Sequence, residues 1–255
     1  MVTVSQKDFK IFDLTLPLFY DEDRAFVPNT VTGVFAKAMR SQEDKIRGKI
    51  VFGIGMGVAP LEIYAALALG ASKVYGVEIV PAAAELAAQN IKLNGLENRV
   101  IPYQGSLFDP LKGKKAQMII NDASGLADII SYGSKYYPQE VPTGGPDGAD
   151  VVTQLLAQAP AYLDKTGYLM FAVTGDLSDS KKIMDAANSS FSKIESILAI
   201  DIPMVASQIR DIQAKYAAEN RQVPDFFQKL LNDPSKQKGS GVKWHGEIYL
   251  ASQPK

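Results

Sequence analysis

The sequence predicts an α/β fold built on an open, mostly parallel, seven-stranded, doubly wound sheet. Three features point to it. From Lys49 onward, short and nearly continuous apolar runs rich in β-branched residues alternate with amphipathic or alanine-rich stretches. That alternation marks strands buried on both faces and joined by crossover helices. A glycine-rich turn, Gly53-Ile-Gly-Met-Gly57, joins the first run to its helix, and an acid, Glu78, ends the second run.

Taken in order, residues 1–48 read as an N-terminal extension. They hold a short hairpin around Phe9–Phe19 and a helix over Val31–Arg40, capped by Asn29 or Thr30. Residues 49–255 then form the main domain. Lys49–Ile54 is its first strand and Ala59–Leu69 its first helix, closed by Gly70. Lys73–Ile79 is the second strand, and Pro81 opens a helix that runs to Asn94-Gly95. Arg99–Gln104 and Ala116–Asn121 are the third and fourth strands. A helix over Asp150–Leu163, a strand over Gly167–Val173 and a helix over Ser178–Phe191 follow. Lys193–Ile202 and Lys243–Ala251 complete the sheet. Residues 204–240 interrupt the alternation with two amphipathic stretches, Val205–Ala218 and Val223–Leu231, and a polar tail over 233–241 that reads as mobile. This insert could be a lid, an ordinary helical core or the face of a homo-oligomer, and the sequence leaves the three open.

Composition excludes whole classes of chemistry. The chain has no cysteine and one histidine, so thiolate zinc sites, iron–sulfur clusters, cysteine nucleophiles and two-histidine metal sites are out. No metal is expected. With 27 basic against 28 acidic residues, the chain lacks the basic footprint of a nucleic-acid binder. The N-terminal stretch lacks the organisation of a signal peptide, and no apolar run is long enough to span a membrane. The expected setting is soluble and cytoplasmic.

The site is read from the carboxyl ends of the strands. Gly53, Gly55 and Gly57 let the backbone turn sharply and admit a ligand with no Cβ in the way, while the following helix points its free N–H groups at that ligand. Glu78 stands where an acid can take both hydroxyls of a ribose, beside Ile79. The plain alternatives are a packing turn and a solvated strand-end acid. The two features together favour an adenosine-containing cofactor.

These segments resemble a known family. Gly53-Ile-Gly-Met-Gly57, Leu69 to Pro81 and Ala87-Ala-Gln-Asn-Ile-Lys-Leu-Asn-Gly95 are similar to the class I S-adenosylmethionine-dependent methyltransferases, nearest to the "methyltransferase small" and HemK-like group. The resemblance runs over about residues 25–203 and implies a Rossmann-like fold. Gly105-Ser-Leu-Phe-Asp-Pro110 resembles the loop that contacts the adenine, which assigns Ser106 and Leu107 to the cofactor. Gly144-Gly-Pro-Asp-Gly148 and Pro28-Asn-Thr-Val-Thr32 also have counterparts in the group. Three positions depart from its pattern: Gly53 replaces an acid near the methionine moiety, Ala59 replaces the third glycine, and Ser106 replaces the acid before Leu107.

The fourth strand ends in Asn121-Asp122-Ala123-Ser124, where HemK-like enzymes carry Asn-Pro-Pro-Tyr. Asn121 is retained, and with it the expectation that it touches cofactor and acceptor. The stacking ring for a planar acceptor is gone, and Asp122 suits a cationic amine or guanidinium instead. Asp122 could equally cap the following segment. Ser124, Tyr132, Tyr136 and Tyr137 are candidates to line an acceptor pocket. His245, beside the only tryptophan, is expected to be structural rather than catalytic.

The expected function is methyl transfer from S-adenosylmethionine to a nitrogen of a small, non-planar or cationic molecule, with Asn121 and Asp122 orienting it. Methylation of a protein side chain or RNA is the second reading. A cofactor-fold scaffold without catalysis is the third.

Overall fold

A computed structural model describes residues 5–25, 27–138 and 141–255. The first four residues and positions 26, 139 and 140, the last three within the stretch compared above, lie outside that description.

The chain opens with an antiparallel hairpin of β1 (Ser5–Ile11) and β2 (Leu14–Tyr20). Helix α1 (Thr30–Ser41) begins at the expected cap. Asn29 Oδ1 accepts from the Val31 N–H at 2.8 Å, and the Thr32 hydroxyl oxygen accepts from the Asn29 N–H at 3.2 Å. Two of the helix's otherwise orphaned donors are thereby satisfied. A short α2 (Glu43–Ile46) leads into β3 (Ile50–Ile54), and the units β3–α3 (Pro60–Leu67), β4 (Lys73–Glu78)–α4 (Pro81–Leu93) and β5 (Val100–Gln104) follow as the alternation predicts.

Next come β6 (Ala116–Asn121), α5 (Asp128–Gly133), α6 (Asp150–Gln158), β7 (Leu163–Val173), α7 (Ser180–Ser190) and β8 (Phe191–Met204). The insert contributes α8 (Ala206–Ala218), α9 (Asp225–Asn232) and the two-residue β9 (Gln237–Lys238), and β10 (Gly241–Pro254) ends the sheet. Helix α6 stops five residues before its expected end. Pro160 has no N–H to continue the ladder, and a single 3-10 turn over Ala159–Ala161 carries the chain into β7 instead.

The sheet order is β5-β4-β3-β6-β7-β10-β8, with β9 attached to β10, so the seven expected strands gain a short eighth. The strands from β5 to β7 are parallel, and β10 runs antiparallel between β7 and β8. The order reverses between β3 and β6, the switch point where ligands bind in open α/β sheets. Register brings the strand ends level there: Ile54 pairs with Val77 on one side and Asn121 on the other.

One apolar cluster unites the hairpin (Leu16, Leu18), α1 (Phe35, Met39), α3 and the strands Val51, Val74 and Val100. The first 48 residues therefore share a core with the sheet. Asn90 of α4, fully buried, reinforces that union. Its Oδ1 accepts from the Phe19 N–H at 2.6 Å, and its Nδ2 donates to the carbonyls of Phe19 and Val58 at 2.9 and 3.0 Å. The opposite sheet face packs on α6 and α7 through Leu155, Leu156, Ile183 and Ala187. The insert forms a third cluster, in which Ile212, Tyr216, Phe227 and Leu230 meet Ile129, Ile130 and Trp244. Its apolar face packs as a helical core over α5 and β10. The tail expected to be mobile holds a 3-10 turn over Pro234–Lys236 and the β9–β10 pairing.

Candidate active site

A cavity of about 230 Å³ opens at the switch point. The turn after β3 forms its floor, and there Gly55 is obligatory. Its φ is +78°, and a Cβ built on it would lie 2.5 Å from the backbone N and Cα of Ala123. Only a glycine lets this turn and the turn after β6 come this close. The loop is held by the Gly55 and Met56 N–H groups, both donating to the Val77 carbonyl at 3.0 Å.

Glu78 ends β4 and is 7% exposed. One carboxylate oxygen accepts from the Gly57 N–H and the other from the Val80 N–H, each at 2.8 Å. Burial raises its pKa, and these backbone donors oppose the rise. The acid thus staples the glycine turn while facing the cavity. Ile79 beside it stands 47% exposed at the rim, and Gly105, Ser106 and Leu107 continue the wall. Leu107 takes φ +46°, a left-handed conformation rare for its type, of the kind that concentrates at binding sites.

Across the cavity, Asp122 follows β6 with its N–H on the Ile54 carbonyl. It lines the cavity, and desolvation of its carboxyl pushes the pKa up to about 8. Helix α5 begins at Ala127 with no side-chain cap, so the capping alternative for Asp122 falls away. Ser124, Tyr136, Tyr137 and Trp244 form the wall nearby. Burial pushes the Tyr137 phenol up to about 12, against the Ser124 hydroxyl beside it. Asn29, Thr32 and Phe35 close the cavity from the start of α1. Among the described residues, the lining includes Glu78 and Asp122 but no lysine or arginine.

Three expected residues lie elsewhere. Asn121 is 1% exposed and turns its Oδ1 back onto the Ala123 N–H at 3.1 Å, closing an Asx turn rather than facing the cavity. Tyr132 donates its hydroxyl hydrogen to the Val141 carbonyl at 3.2 Å, outside the lining. Gly53 is covered by the Glu62 side chain. The glycine stretch from 144 to 148 supports the acceptor side from behind, Gly144 donating to Leu126 and Gly145 accepting from Asp128. His245, as expected, is away from the cavity, between Asp201 at 2.9 Å and Glu247 at 3.1 Å.

Residues 35–129 match the model of the TRM5/TYW2 methyltransferase domain. The chain is 31% identical over 174 residues to a ribosomal protein uL3 glutamine methyltransferase of Bradyrhizobium diazoefficiens, covering 63% of this chain and 54% of that protein. It is 32% identical over 125 residues to a release factor glutamine methyltransferase of Geobacter sulfurreducens, covering 47% and 43%. The chain is thus similar to a methyltransferase domain over residues 35–129 and to glutamine methyltransferases over a longer stretch.

The chain spans about half the length of these relatives. Among solved structures, a tRNA m1G37 methyltransferase of M. jannaschii superposes with a TM-score of 0.59 at 16% identity, covering 99% of this chain and 56% of that one. A 16S rRNA N2 G1207 methyltransferase of T. thermophilus, in complex with AdoMet and guanosine, gives 0.60 at 11% identity, covering 98% and 51%. These two likenesses show the fold.

The candidate site fits S-adenosylmethionine. That cofactor carries a sulfonium and an ammonium, and the site offers two desolvated carboxyls, Glu78 and Asp122, one of them stapled to the glycine loop. Residue-by-residue reading missed Trp244 as part of this candidate site, and it missed Glu62, which stands behind the lining against Gly53. The segment Pro28 to Thr32 was a legible signal for α1. Glu62 and Trp244 had none, since each looks locally like a core-facing helix or strand position.

Proposed function

We propose that this domain transfers the methyl group of S-adenosylmethionine to the nitrogen of a cationic, side-chain-sized amine or guanidine. The observation that carries the reading is Asp122, a carboxyl set inside a cavity whose described lining holds no lysine or arginine. Glu78, with Gly55, Gly57, Ile79, Ser106 and Leu107, would hold the adenosine end. The cofactor supplies an activated methyl group on a sulfonium, so the protein has to align, desolvate and deprotonate the nucleophile. A protonated amine must lose a proton before it can attack. Asp122, whose pKa stands at about 8, first gives up its own proton when a cation is placed beside it or the pH is alkaline. The carboxylate is then a stronger base than an ordinary one. Tyr136, Tyr137 and Trp244 supply π faces suited to a cation.

The relatives named above are glutamine methyltransferases of protein substrates, which favours a second reading: a planar side-chain amide on a protein. The loss of the two prolines and the aromatic ring after Asn121 weighs against it. Incubation with labelled cofactor decides between them, using free amines, free guanidines and peptides carrying lysine, arginine or glutamine. The proposal expects transfer to amine or guanidine nitrogens, abolished by Asp122→Asn. Transfer confined to glutamine peptides and indifferent to Asp122→Asn would overturn it.

A further inference from the structure

Glu62 lies in the first turn of α3, and only 5% of it is exposed. Gly53 and Gly76 sit side by side in the β3–β4 register. With no side chain on either, they leave a notch in the sheet face. The Glu62 carboxyl occupies the place of a Cβ on Gly53, and its Cγ lies 3.4 Å from the place of a Cβ on Gly76. Met56, from the glycine turn itself, fills the rest of the notch. Glu62 Oε2 has no hydrogen-bond partner among the described residues. A leucine or methionine could fill this notch without leaving a buried polar atom unsatisfied. The nearest charges are also acidic, Asp122 after β6 and Glu78 at the end of β4. Three carboxyls from three elements therefore lie about the glycine turn, and one of them, Glu62, stands behind the cavity lining against Gly53 with one oxygen unpartnered.

We infer that Glu62 is the anionic partner of the ammonium on the cofactor's methionine end, and that cofactor binding expels a proton from its carboxyl group. The inference rests on the cofactor reading above. Without ligand, burial and the neighbouring acids keep the carboxyl protonated through neutral pH, its pKa standing at about 8. A cation placed over the glycine turn reverses that preference. The carboxyl O–H bond breaks, the proton leaves to solvent, and the carboxylate remains as the cation's counter-charge. Helix α3 thereby supplies, from beneath the loop, an acid that the strand end at Gly53 does not carry.

The test is calorimetric titration of S-adenosylmethionine and S-adenosylhomocysteine into the full chain, in two buffers of different ionisation enthalpy, at several pH values. The inference expects proton release on binding, and affinity that rises with pH until about 8, by at most about tenfold per unit for one proton. Glu62→Gln loses that release and about tenfold or more of the affinity in alkaline buffer. Asp122→Asn separates any proton contributed by the second acid and keeps a Glu62 component, shifted to lower pH by the loss of the neighbouring charge. Glu62→Met fills the notch without a polar atom, so it keeps the fold measurable should Glu62→Gln disturb it. Wild-type affinity and proton release in Glu62→Gln, or wild-type affinity in Glu62→Met, overturns the inference and leaves the cofactor reading standing. Failure of the wild type to bind either ligand overturns both.

Discussion

Replacing Gly55 by alanine tests the contact on which the site is built. A Cβ there would lie 2.5 Å from the Ala123 backbone N and Cα and 2.8 Å from its Cβ, at φ +78°. Carbon atoms rest at about 3.5–4.0 Å, so the two turns must part by roughly 1 Å. Two costs add: about 1–2 kcal/mol for an L-residue in the left-handed region, and about 1–3 kcal/mol for forcing packed groups apart. Gly95, just past α4, isolates the first cost. Its φ is +68°, and a Cβ there meets nothing within 4 Å. Both substitutions stiffen the unfolded chain alike, so that contribution cancels. Urea unfolding of Gly55→Ala, Gly95→Ala and wild type without ligand should place Gly55→Ala lowest, below Gly95→Ala by about 1–3 kcal/mol. Equal stabilities would show that the Ala123 turn yields freely, and the rigid two-turn floor would be wrong.

Other expectations follow from the same geometry. Glu78→Gln keeps one oxygen for the two backbone donors at Gly57 and Val80. It should weaken S-adenosylmethionine binding about tenfold or more by calorimetry, the equivalent of about 1.4 kcal/mol; unchanged affinity would remove Glu78 from the cofactor site. Glu62 binds its proton more tightly folded, at about 8, than at its ordinary value of 4.5. The folded chain then holds more protons between those values, and stability falls as pH rises through them. Thermal melts should show Glu62→Gln level with wild type near pH 4–5 and more stable by a few degrees above about pH 8; a pH-independent difference would contradict this. Phe227→Ala removes a fully buried ring from the insert's core and should cost about 3–5 kcal/mol in denaturant unfolding. Near-neutral stability would mean that the insert rests on the domain as a detachable lid.

The strand pattern was legible because parallel strands buried on both faces write themselves as apolar runs. Their lengths were less so. β8 and β10 extend to Met204 and Pro254 because they pair with each other along almost their whole course, and such long-range ladders leave little local trace. At the site, Gly55, Gly57, Glu78 and Asp122 were legible because each sits at a strand end with a spacing that has a physical meaning. Asn121 illustrates the limit. Its position at the strand end was right, but the loss of the prolines frees the Ala123 N–H, and the side chain turns to satisfy it. Glu62 shows a deeper limit, because its surroundings are set by two glycines paired across neighbouring strands.

Asn90 joins two places that look unrelated in the chain. One amide group grips the end of the hairpin at Phe19 and the glycine turn at Val58, so neither can shift without loosening the other's bond. The hairpin is thereby a reporter wired to the cofactor loop. Slow solvent exchange at the Phe19 amide would read out the tightness of a turn that it never touches. Partners or fusions attached at the hairpin would act on the same wire from the other end.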